Sequence, residues 1–331
     1  MQSVTGREIV IVRSNWKPIL ALLLVAPFLT ELLSGNLPAS QFFQPQVYVF
    51  LATAGYGFPI LLLREFAVRR QLGLAGLFAL GLVYGIFNEG ILAKTFYLAI
   101  KVPIGTFDGY GYVFGIAIPW AITISIWHAL HSFVYPIVTV CYFFPEHRQS
   151  PWLSRRAIVL IAIPTILVGM LTFFHEDKDH AGGRAAQFVA MITLSGLLIW
   201  LATKLESRPA MGDSGMLQTP AIVLGGLAFL AFLFVPIVLA AVKIPVSVFY
   251  AYNFILVALM LWLLHQRESF PLNNVMLFAI GDDALMALAG LAGAMVRRDI
   301  QRMVANLAFL ALFGWLWMRL RKQSAYLKTG A

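Results

Sequence analysis

The sequence predicts an all-α, polytopic transmembrane helix bundle. The composition is 60% hydrophobic and only 12% charged, against roughly 25% charged residues in soluble domains. Apolar runs near 20 residues recur from end to end, the length an α-helix needs to cross a bilayer core of about 30 Å. The basic residues lie in short clusters between these runs, as the positive-inside bias expects. The net charge of +9 therefore reflects topology, and the expected partner is the lipid bilayer, with no nucleic acid. One cysteine, Cys141, excludes an intrachain disulfide and any multi-cysteine metal site.

Arg7, Arg13 and Lys17 precede a first span at about 18–34, with Glu31 near its far end. No small-residue cleavage site leads from this run into a soluble domain, so it reads as a span and not as a cleaved signal. Span two runs about 45–63 and ends in the charged cluster Arg64, Glu65, Arg69 and Arg70. Span three runs about 73–92, and 105–111 is turn-rich. Span four is expected over about 112–144, and its 33 residues exceed the hydrocarbon thickness. Pro119 and Pro136 mark its expected kinks. Spans five to eight follow at 157–174, 185–203, 220–242 and 245–264. The polar stretch 204–219 divides the bundle into candidate halves, 1–203 and 220–331. Gly281, Asp282 and Asp283 interrupt the run 269–296, which crosses once or turns back as a re-entrant hairpin. The last span is about 303–318, before a basic tail.

With the N-terminus inside, the inner segments through span eight carry Arg7, Arg13, Lys17, Arg64, Arg69, Arg70, Arg148, Arg155, Arg156, Lys204, Arg208 and Arg267. The outer segments carry only Lys94, Lys101, Lys178, Arg184 and Lys243. This asymmetry puts the N-terminus inside. The total is ten spans if 269–296 crosses and nine if it is re-entrant. The default host is the cytoplasmic membrane of a prokaryote.

A few polar residues inside the spans need an explanation, because ionisable groups there are costly and usually face the bundle interior in pairs. Counting along the helices puts Glu31, Glu89, His128 and His131 in one layer of the outer half. Gly81, Gly85 and Glu89 follow at i, i+4, i+8, a small-residue groove ending at a carboxylate. His128 and His131 are i, i+3 and share a helix face, so with Glu89 they suit a catalytic zinc that keeps a fourth position for water. Glu31 is a candidate additional acid or base. The same residues equally suit plain Glu–His hydrogen bonds that clamp helices. Asp282 and Asp283 point to a helix break facing an aqueous cavity, and so to a transport path.

Glu89 and Lys94, then Ile124 and His128, then His175 and Asp179 have the spacings of three successive motifs: Glu-Glu-x-x-x-Arg, Phe-x-x-x-His and His-x-x-x-Asn/Asp. In this the chain resembles the CPBP and CAAX-type intramembrane metalloproteases over about residues 85–180. Gly90, Lys94 and Ile124 stand where that family has Glu, Arg and Phe. The resemblance implies a metal-dependent membrane hydrolase, or a non-catalytic relative. Glu89 and His128, with His131 or His175, would hold a divalent ion such as zinc. Its substrate would be a membrane peptide or lipid-linked molecule arriving laterally. The alternatives are a transporter or lipid-handling protein built on Asp282 and Asp283, and a membrane scaffold.

Overall fold

The computed structural model describes residues 15–97, 105–176, 184–205, 211–212, 220–265 and 270–329. Its first helix, α1 (16–32), joins 12 residues of α-helix to 5 of π-helix, about 25 Å in all. Nine longer helices among the described residues have the length and apolarity to cross a membrane. In chain order they are α2 (Pro45–Arg69), α3 (Leu74–Leu92), α4 (Ile118–Phe143), α5 (Arg155–Phe174) and α6 (Ala185–Lys204). Then follow α7 (Pro220–Ala241), α8 (Val246–Leu264), α9 (Leu272–Arg297) and α10 (Ile300–Ser324). The main hydrophobic core runs through the bundle, from Leu22 in α1 to Leu320 in α10, and a second cluster gathers around Phe107, Trp120 and Phe249. The outward faces of α5, α6 and α8 carry exposed large apolar side chains such as Leu160, Leu197 and Phe254, as lipid-facing helices do.

Hydrogen bonds between loops fix the sidedness. Asn15, before α1, donates to the carbonyls of Pro151 and Trp152 in the α4–α5 loop. Tyr142, at the end of α4, bonds Gln323 at the end of α10. The start of α1, the end of α4 and the end of α10 thus share one face. On the other face Arg302, near the start of α10, donates to the carbonyl of Ser34 beyond α1, and Lys243 caps the carbonyls of Thr106 and Asp108. This arrangement needs an even number of crossings, and the nine long helices with α1 make ten among the described residues. The face holding Asn15 also collects Arg64, Arg69, Arg70, Arg148, Arg155 and Arg156, which makes it the inner face by the positive-inside bias. Cysteines placed at Gln301 and Gln323, both on exposed positions, should react with an impermeant maleimide from opposite sides of the membrane. Labelling of both from one side would break the ten-crossing topology. Cys141 is buried and gives no background.

Two expectations are corrected here. The run 269–296 does not turn back, because α9 is one continuous 26-residue helix through Gly281. Gly281 serves packing instead of a break. A Cβ there would lie 2.0 Å from the carbonyl oxygen of Ile222, and one at Gly225 would lie 2.0 Å from that of Phe278. These glycines let α7 and α9 touch backbone to backbone, the small-residue mode of membrane helices. Asp282 and Asp283 therefore sit on an intact helix. The fourth span also begins later than expected. Residues Tyr112–Val113 (β1) and Ile116–Ala117 (β2) form a short antiparallel hairpin. Gly111 and Gly115 take the positive φ values (+66° and +76°) that its turns require. Pro119 then falls in the first turn of the helix, where its missing N–H costs nothing.

Gly81 and Gly85 do form a groove, and α4 fills it. Cβ atoms there would come within 2.7 Å of the Cα atoms of Ala129 and Ser125 respectively. Most of the stretch 204–219 lies outside the described residues. Of it, Met211–Gly212 (β3) pairs in parallel with Phe270–Pro271 (β4).

Candidate functional site

Four π-helical segments gather round the polar centre of the bundle: Phe28–Leu32, Leu51–Gly55, Ile86–Leu92 and His128–Val134. Such insertions release carbonyls from the i→i+4 ladder and are frequent at functional sites. Gly55 shows how they are accommodated. Pro59 has no N–H to offer its carbonyl four residues back. That oxygen instead accepts from the Tyr84 hydroxyl at 2.9 Å and from Asn88 Nδ2 at 3.1 Å.

An outer cluster forms where α1, α2, α3 and α4 meet. His128 Nε2 contacts Glu89 Oε1 at 2.8 Å, and its Nδ1 contacts Ser132 Oγ at 2.7 Å. The second oxygen of Glu89 accepts from Thr95, whose hydroxyl in turn accepts from Trp120 Nε1 at 3.0 Å. Glu31 accepts from the Tyr56 hydroxyl and, at 2.7 Å, from Asn36. The Tyr56 ring lies 6.4 Å from the His128 ring, so Tyr56 joins Glu31 to the Glu89–His128 pair. All three sit about 22 Å along their helices from the inner ends. His128 is buried, whereas the Glu89 side chain keeps 13% of its surface.

An inner cluster lies one turn deeper on α4. His131 Nδ1 contacts Asp283 Oδ1 at 2.7 Å, and its Nε2 lies 3.3 Å from Asp282 Oδ1. Tyr135 donates to the other oxygen of Asp282 at 2.5 Å. Asp282 is ten residues into α9, about 15 Å along it and so near mid-membrane. All three ionisable groups are at most 2% exposed. One ligand atom from each lies within 4.8 Å of the other two. Asp282 Oδ1 has no hydrogen-bond partner among the described residues, because the nearby ring nitrogen is misaligned. With both carboxylates ionised, even a protonated His131 would leave this cluster one negative charge in excess. The ion pairs of the cluster bring it no Lys or Arg. An uncompensated charge in a medium of low dielectric constant costs several kcal/mol.

The structure thus divides the residues singled out in the sequence. Glu89 and His128 are in contact, and Glu31 adjoins them through Tyr56. His131 is not in that group. It faces α9 because the wider π turn rotates residues i and i+3 apart, where an α-helix would have aligned them. Trp127 packs against both imidazoles, edge-on to His128 at 4.8 Å and stacked on His131 at 5.3 Å. His175 is exposed beyond the end of α5, and its carbonyl accepts from Lys94 Nζ at 2.6 Å. Asp179 lies outside the described residues. Tyr56, Tyr135 and Thr95 escaped the sequence reading, since single hydroxyls in apolar runs carry no spacing signal.

Fold and site together define a polytopic integral membrane protein with two buried imidazole–carboxylate clusters on one helix. A family model described as "Uncharacterized membrane protein family" matches residues 20–320, and the chain belongs to that family. No curated protein and no solved structure matches it.

Proposed function

We propose that the protein is a carrier that moves a divalent cation across the membrane through two stations on α4. The observation that carries this reading is a duplication. Each cluster holds one imidazole, two carboxylates and a tyrosine that donates to a carboxylate: His128, Glu89, Glu31 and Tyr56, then His131, Asp282, Asp283 and Tyr135. The two imidazoles are one turn apart, so the stations step from mid-membrane toward the outer face. Two carboxylates and a neutral imidazole balance one divalent ion, and mixed nitrogen and oxygen donors suit zinc. The inner station is the tighter one. Full burial fits an occluded intermediate, which a carrier must pass through.

A membrane-embedded hydrolase of peptide or lipid-linked substrates is the second reading. It draws on the serine–imidazole–carboxylate chain Ser132–His128–Glu89 and on the metalloprotease-like spacings. Two observations weigh against it. Ser132 is fully buried. A side chain at Gly90 would begin 2.9 Å from the Phe96 ring, so the second glutamate of the protease motif has no room.

Reconstitution in liposomes loaded with a zinc-responsive dye tests the proposal. Wild type should admit zinc, and Asp283→Asn should slow entry at least tenfold. A wild type that admits no zinc, or an Asp283→Asn variant that is unimpaired, would end the carrier reading. A pH-responsive dye run in parallel identifies proton conduction as the rival activity.

A further inference from the structure

We infer that the inner half of the bundle holds a lipid, with one acyl or prenyl chain lodged between α3, α4, α7, α8 and α9. A cavity of about 520 Å³ lies there, within the size range of small-molecule sites. Its wall is apolar apart from Tyr135 and Asn274. Leu224, Leu227, Leu259 and Leu263 line it and are about half exposed, so it opens on the outward surface of helices that cross the membrane. What reaches such an opening is hydrocarbon.

The axial extent fits a chain and places its headgroup. Pro220 opens α7, Leu74 opens α3, Leu264 ends α8 and Pro271 precedes α9, and all four line the cavity at the inner face. The lining on α7 reaches Phe232, 12 residues from Pro220, or about 18 Å up the membrane. There it meets Leu130, Val134 and Tyr135, the residues flanking His131. The headgroup therefore stays at the inner surface while the chain ends beside the mid-membrane cluster. This inference does not depend on cation transport.

Native mass spectrometry of the full-length protein in mild detergent tests it, together with cross-linking by a phospholipid carrying a photoreactive group midway along its chain. Wild type should retain one phospholipid per chain and cross-link to α9. Ala221→Phe and Ala231→Phe fill the cavity from one wall and should each lower retention at least fivefold. Leu167→Phe, on the exposed surface of α5, should not. Two substitutions at separate positions keep the test decisive if one variant fails to fold. Absence of a retained lipid in wild type, retention undiminished in both Ala221→Phe and Ala231→Phe, or cross-links spread equally over α5 and α9 would overturn the inference.

Discussion

His131→Ala is expected to abolish zinc entry and to lower stability by roughly 3–5 kcal/mol, the cost of removing one partner from a buried ion pair. The imidazole stands between Asp283 at 2.7 Å and Asp282 at 3.3 Å. Without it two carboxylates face each other near mid-membrane, and among the described residues only the Tyr135 hydroxyl donates to them. Stability and function can be separated. In the triple variant His131→Leu, Asp282→Asn, Asp283→Asn no charge remains to compensate, and well-packed neutral replacements of buried ionic groups are often neutral or stabilising. That variant should regain most of the lost stability in denaturant titrations and still admit no zinc. A triple variant that transports would remove the inner cluster from the mechanism. A single His131→Ala variant as stable as wild type would mean the two carboxylates do not depend on the imidazole.

The bundle was legible in the sequence because hydrophobic length is a one-dimensional property. From α5 to α9 the helix bounds fall within about three residues of the expected ones, since charge clusters mark the ends. The start of α4 was missed because the hairpin before it is as apolar as a helix, and only Gly111 and Gly115 marked it. The polar residues were legible for the same reason that they are costly: a carboxylate or imidazole stands out in an apolar run. Their grouping was not. It depends on the direction of each side chain, and the π turn over His128–Val134 redirects His131 from α3 toward α9. Nothing in the local sequence signals that extra residue in the turn. The glycine at 281 misled for a different reason. A glycine beside two aspartates reads as a break, yet the same residue type permits close helix contact, and only the position of Ile222 decides between them.

Gly281→Ala should produce the converse of the triple variant, a protein that folds with reduced stability and fails to transport. The added methyl would sit 2.0 Å from the Ile222 carbonyl oxygen, so α7 and α9 must separate by about 1 Å or more to restore ordinary contact. Overpacking of this kind costs about 1–3 kcal/mol, and Gly281→Val should cost more. Gly226→Ala is the control, since its Cβ would meet a Leu285 side-chain carbon at 3.7 Å and the Gly281 carbonyl oxygen at 3.8 Å, both ordinary van der Waals contacts. It should leave both melting temperature and zinc entry near wild type. The functional loss follows from sequence adjacency. Asp282 and Asp283 are the next two residues of α9, so a shift at Gly281 carries them with it. The contact of Asp283 with His131 begins at 2.7 Å, and a displacement of about 1 Å takes it beyond hydrogen-bond range. A Gly281→Ala protein that transports zinc normally would show that the inner cluster tolerates such a displacement, and hence that the hydrogen bond between α4 and α9 does not set the geometry of the station.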